Sequence, residues 1–165
     1  MDGNKPANRW KSKTPAIRLL ATKTVTEFLN GKVRKQSLPE FELPVAADAP
    51  TVKRLLLPQG ELAQFYDANE GMRYLAFIEL RAGSVRGNHF HKVKEEWVYM
   101  IRGEVLLIVE DVESKAREFV PLRAGDLAVI RTEIAHVLQV LEAGQAVEFS
   151  TARFDPLDIH RFPLI

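Results

Sequence analysis

An all-β sandwich or barrel is the fold class this sequence predicts, on three observations. Beyond Pro50, short apolar or alternating runs follow one another between turn residues, leaving no room for crossover helices between most strands. The chain has 165 residues and 46% hydrophobic content, which suits one domain able to bury its own core. Arg102-Gly103, Ala124-Gly125-Asp126 and Glu142-Ala143-Gly144-Gln145 supply tight turns where the richest strands meet.

Taken in order, residues 1–15 read as a flexible leader, with Pro6, Pro15, Asn4, Asn8 and several lysines. Residues 22–30 are compatible with one short helix, capped by a threonine and stopped by Gly31 after Asn30. Prolines 39, 44 and 50 make 36–50 an extended connector. Strands are expected over 51–57, 61–66, 72–81, 84–91, 96–102, 104–110, 116–121, 127–131, 136–141 and 145–153. The organisation that follows is an N-terminal basic arm and connector over 1–49, a barrel over 50–153, and a tail over 154–165 packed on its outside.

The net charge of +1 hides an asymmetry. Residues 1–35 carry nine Lys or Arg against Asp2 and Glu27, a net of +7, and the remainder carries fourteen against twenty acids, a net of −6. Such an arm can bind nucleic acid or anionic lipid, or pack across the body or a partner subunit. With only Trp10 and Phe28 as aromatics and no recognised nucleic-acid motif, packing is the better reading, so neither nucleic acid nor membrane is an expected partner. The absence of cysteine excludes disulfides, thiolate catalysis and cysteine-based metal sites. The longest apolar run, Val105 to Val109, is far too short for a bilayer, and the N-terminus lacks a secretory core, so a cytoplasmic protein is expected.

The chemistry concentrates between Gly83 and Gly103. Side chains alternate along a strand, so His89 and His91 face the same way about 7 Å apart, close enough to converge on one ion. The charged stretch Lys92 to Glu95 reads as a turn that returns Glu96 to them on the next strand. Only His136 and His160 remain as histidines; His136 is the candidate fourth ligand, and His160 lies in the tail. Glu95 rivals Glu96.

This spacing resembles the cupin family. Gly83, five residues, His89-Phe90-His91, four residues, Glu96, six residues and Gly103 follow the first cupin signature position for position. The second signature is eroded: Gly125-Asp126 and His136 survive, whereas Arg131, Glu133 and Val140 stand where its proline, second glycine and asparagine would be. The resemblance implies a single jelly-roll cupin β-barrel with His89, His91, Glu96 and His136 as metal ligands inside its mouth. It favours Glu96 over Glu95, because only Glu96 keeps six residues to Gly103. Three imidazoles and a carboxylate suit one divalent transition metal ion, whether Fe, Mn, Ni, Zn or Cu. With Glu96 and His136 inward, alternation puts Val98, Met100, Leu138 and Val140 inside, and Trp97 and Tyr99 outside under some cover. Arg86, Asn88, Lys92, Tyr74 and Arg131 are the candidate substrate-binding residues at the rim. Cupins are often dimers, so a homodimer is expected.

Three functions compete. The first is a metal-dependent enzyme, an isomerase or epimerase, oxygenase or lyase, on a small and carbohydrate-derived substrate. The second is suggested by Arg86-Gly87-x-His89-x-His91-Lys92 and the late Phe154-Asp155-Pro156-Leu157-Asp158, which resemble nucleotide-sugar 3,4-ketoisomerases. These work without metal and use a histidine as base, since shifting a keto group needs only proton removal and return. The third is a non-catalytic small-ligand-binding barrel.

Overall fold

The computed structural model describes residues 24–165, so the expected leader over 1–15 lies outside the described residues. Twelve strands form two sheets: β1 (Thr24–Phe28), β2 (Val33–Ser37), β3 (Glu40–Glu42), β4 (Lys53–Leu57), β5 (Gly60–Gln64), β6 (Tyr74–Leu80), β7 (Val85–Phe90), β8 (Glu96–Asp111), β9 (Arg117–Arg123), β10 (Asp126–Ile130), β11 (Ile134–Ser150) and β12 (His160–Arg161). The larger sheet runs β1-β2-β10-β8-β11-β7-β12, with β6 also on β11 and β9 also on β8; the smaller is β3-β4-β5. This is the all-β architecture the sequence predicts.

The core follows from alternation. Val98, Met100, Val105, Leu107 and Val109 of β8 meet Leu138, Val140 and Ala146 of β11 in one buried cluster, each large side chain contributing roughly 1.5–3 kcal/mol by leaving water. Outward residues of β8 and β11 join a second cluster, in which Tyr99, Trp97 and Phe149 pack with Leu127 of β10 and with Leu38, Phe65 and Tyr66. The cover expected over Trp97 and Tyr99 is therefore this chain's own: the Phe65 ring stacks on Tyr99 with centroids 4.4 Å apart.

Two expected turns are instead bends within continuous strands. The β8 residues of the first cluster fall at even positions up to Met100 and at odd positions from Val105, a change of phase that marks an inserted residue around Gly103. Gly103 has φ +85°, and a Cβ there would lie 2.8 Å from the carbonyls of Glu142 and Ala143. Opposite it, β11 shifts register between Val140 and Ala146. The glycines thus allow two backbones to cross in contact where both strands bend.

The N-terminal reading is corrected too. In place of a helix over 22–30, Thr24–Phe28 is strand β1, followed by a single 3-10 turn at Leu29–Gly31. Its β-branched Thr24, Val25 and Thr26 favour extended backbone, and β1 pairs with β2, which itself pairs with β10.

Candidate functional site

Two neighbouring strands and the start of a third bring the site together. β7 carries His89 and leads into His91, β11 places His136 directly opposite His89, and β8 begins with Glu96. Nitrogen or oxygen atoms of His89, His91, Glu96 and His136 lie within 4.8 Å of one another. Glu95 points elsewhere, accepting a hydrogen bond from Trp97 Nε1 at 2.8 Å, so Glu96 is the carboxylate of the cluster.

Each imidazole is oriented from behind. His91 Nδ1 lies 2.8 Å from the carbonyl of Asp158, and His136 Nδ1 lies 3.0 Å from the carbonyl of Ile134. A carbonyl only accepts, so both rings carry hydrogen on Nδ1 and turn Nε2 inward. There His91 Nε2 stands 3.3 Å from Glu96 Oε2 and His136 Nε2 3.6 Å from Glu96 Oε1. Neither Nε2 has hydrogen-bonding geometry to a described residue.

Two members of the site were missed in the sequence. Lys94, only 5% exposed, sends Nζ to within 3.2 Å of Glu96 Oε2, and Nζ also donates to Glu148. The Tyr74 ring lies 4.4 Å from that ammonium. Lys94 sits in a charged run that reads as a solvated turn. Glu148 had a usable signal, since it shares the even phase of His136 and Leu138 on β11.

These charges separate the titrations. Burial would raise Glu96, but His136, His91 and Lys94 outweigh it and hold its carboxyl well below the usual range. Burial would lower His136, and the Glu96 carboxylate more than compensates, so His136 is raised. His89 is pushed down to about 4 by burial and by His136. Glu148 is raised by burial and by Glu96. Near neutrality His89 is therefore a free base, beside a His136 that holds its proton to higher pH than an ordinary imidazole.

The sequence-predicted rim disperses. A cavity of about 280 Å³ is lined by Arg86, His89, Glu96, His136 and Glu148 over apolar Ile78, Val85 and Leu138. Arg86 thus reaches it. Tyr74 packs behind Lys94, Lys92 is exposed, and Arg131 lies 3.7 Å from Glu95 in a separate cleft. Asn88 anchors the tail: its Oδ1 accepts from Leu164 N at 2.8 Å, and its Nδ2 donates to the Ile165 carbonyl at 3.2 Å.

Comparison with known proteins shows where this fold recurs. No curated protein matches the chain significantly. The solved dTDP-6-deoxy-D-glucose-3,5-epimerase of Legionella pneumophila, in complex with dTDP-4-keto-L-rhamnose, superposes with a TM-score of 0.64 at 15% identity, covering 84% of this chain and 76% of that one. A 4-keto-6-deoxy sugar epimerase from the novobiocin cluster of Streptomyces spheroides gives 0.65 at 17%, covering 86% and 74%. A 3,4-ketoisomerase from Helicobacter canadensis gives 0.59 at 13%, covering 67% and 86%.

This comparison corrects the expectation of a divalent transition metal cofactor. The neighbours are enzymes whose keto-sugar chemistry is proton removal and return, which calls for no metal ion. The charge balance of the site agrees: Glu96 Oε2 already accepts from the buried Lys94 ammonium at 3.2 Å, and a divalent ion on the same carboxylate would sit beside that positive charge. The family itself is settled by the cupin profile, which matches residues 64–156, more than half the chain: the protein belongs to the cupin family.

Proposed function

We propose that this cupin is a metal-free isomerase or epimerase of keto sugars carried on a nucleotide. The observation that carries the reading is His89, held neutral in the cavity wall opposite His136, whose proton the Glu96 carboxylate helps to keep. A hydrogen on the carbon next to a ketone is acidic because its electron pair passes to the carbonyl oxygen. His89 takes that proton, the positive His136 stabilises the enolate oxygen, and Glu148 returns a proton to the carbon. Burial and Glu96 raise Glu148, so it takes up a proton more readily than an ordinary carboxyl and can pass one on, while the lowered His89 is suited to be the acceptor. Return to the opposite face inverts a centre; return to the former carbonyl carbon, with the proton of the adjacent hydroxyl passing to the enolate oxygen, moves the keto group. Exposed Arg86 at the cavity supplies a fixed cation for the diphosphate. The fold's likeness to epimerases and a ketoisomerase supports this reading.

The test is turnover of dTDP-4-keto-6-deoxyglucose followed by NMR, with His89→Asn as the control. Loss of about 10²- to 10⁴-fold in kcat/KM is expected for removal of a proton-transfer group; a variant within twofold of the wild type would remove His89 from the chemistry. Failure of turnover across keto-sugar nucleotides, with tight ligand binding, would favour a binding barrel. The expected homodimer belongs to the same proposal, supported by Leu75 and Phe77, 69% and 61% exposed on β6; light scattering reads it directly.

A further inference from the structure

The tail does more than cover the barrel. Its strand β12 pairs with β7, setting His160 opposite Phe90 and Arg161 opposite His89, so it adds a strand to the one that carries the site. Just before β12, a 3-10 turn at Pro156–Asp158 is capped by Asp155, whose carboxylate accepts from Leu157 N at 2.9 Å. That turn delivers Asp158 into the hairpin between His91 and Glu96.

There Asp158, buried, makes a dense set of contacts. Its Oδ1 accepts from Lys92 N at 2.8 Å and Val93 N at 3.1 Å, and its Oδ2 accepts from Lys94 N at 2.9 Å. Its own carbonyl accepts from His91 Nδ1 at 2.8 Å. One residue thus fixes three successive amides of the loop and the ring of His91. The amide contacts hold the carboxyl below its usual range against the opposing effect of burial. The tail beyond is secured separately, by the backbone and side chain of Asn88 on Phe162, Leu164 and Ile165.

We propose that Asp158 is a positioning residue of the active site: it sets the Nδ1–H form of His91, so that Nε2 faces Glu96, and it shapes the loop that delivers Lys94 to the same carboxylate. The inference rests on the proton-transfer reading for its kinetic consequence, but its structural part stands alone. A ring held by its backbone partner loses no reorganisation at the moment of reaction, and a loop pinned at three amides cannot swing Lys94 away.

The experiment uses the full chain with Asp158→Asn and Asp158→Ala. Ring-nitrogen NMR on histidine-labelled wild type at pH 7 is expected to show a proton on Nδ1 of His91, and amide exchange at 92–94 is expected to be slow. In the variants those amides exchange at least tenfold faster and the His91 ring signals shift, while the His136 Nδ1 signal is unchanged. With keto-sugar turnover as readout, kcat falls about 10- to 100-fold with KM within threefold. His91 found without a proton on Nδ1 in the wild type overturns the inference even if both variants fail to fold. So does Asp158→Asn with wild-type exchange at 92–94. If the wild type turns over no keto sugar, the NMR and exchange results still decide on Asp158, and the failure belongs to the proposed reaction.

Discussion

Replacing Lys94 with methionine tests the electrostatics of the site without touching a cavity-lining residue. The Lys94 side chain is 5% exposed, and its ammonium contacts two carboxyl groups, Glu96 at 3.2 Å and Glu148. Methionine keeps the length of the stem and deletes the charge, leaving Glu96 and Glu148 to repel each other in a buried setting. Breaking a buried pair from one side costs about 3–5 kcal/mol. Glu148 relieves part of this by taking a proton, since its pKa is already raised, so the lower end, about 3 kcal/mol at pH 7, is expected. At roughly 2–4 °C per kcal/mol for a chain of this size, Tm falls by about 6–12 °C. A carboxyl whose folded pKa lies above its unfolded one stabilises as pH falls, so the deficit narrows from pH 7 to pH 5. The double variant Lys94→Met with Glu148→Gln, which removes the repulsion, recovers at least half the loss. Denaturant melts at both pH values provide the assay. A single variant within about 0.5 kcal/mol of the wild type, or a double variant no more stable than the single, would refute a charge-balanced triad.

Other outcomes follow from the same geometry. Because His89 is pushed down to about 4, the acid limb of kcat/KM is expected near pH 4, with no loss of activity between pH 7 and pH 5; a limb at about 6.5 would show an unshifted base. The folded state resists protonating His89 while the unfolded chain does not, so stability drops as pH falls from 6.5 to about 4. His89→Gln, melted across that range, removes that part of the drop. Gly144→Ala puts a Cβ onto the carbonyl of Arg102 and the backbone of Gly103. A loss of about 3 kcal/mol or more in a denaturant melt is expected, since the obstacle is main chain that cannot rotate aside.

Much of this site was legible because strand periodicity is strict. His89 and His91 had to share a face, and the resemblance to the cupin signature, with six residues between Glu96 and Gly103, singled out Glu96 on the return strand. The same periodicity would have exposed Glu148 as an acid at an inward position of β11. Other features lay beyond local pattern. Glycine marks a turn and a bulge alike, so Gly103 and Gly144 read as chain reversals when they are close crossings of two long strands. Lys94 looked solvated because its two carboxylates come from different strands, one of them 54 residues away. The roles of Asn88 and Asp158 depend on contacts 64 to 77 residues apart, between β7 or the hairpin after it and the tail. The strand β1 was hidden by its polar, exposed sequence, since pairing with β2 rather than burial holds it.

The central claim is proton transfer at a carbon beside a ketone by this protein without metal. The most direct measurement is solvent deuterium entering dTDP-4-keto-6-deoxyglucose in D2O, followed by NMR on exhaustively chelated protein. The account predicts catalysed exchange at a carbon adjacent to the keto group, abolished in His89→Asn and retained after chelation. No exchange above the protein-free rate with the chelated wild type would contradict it.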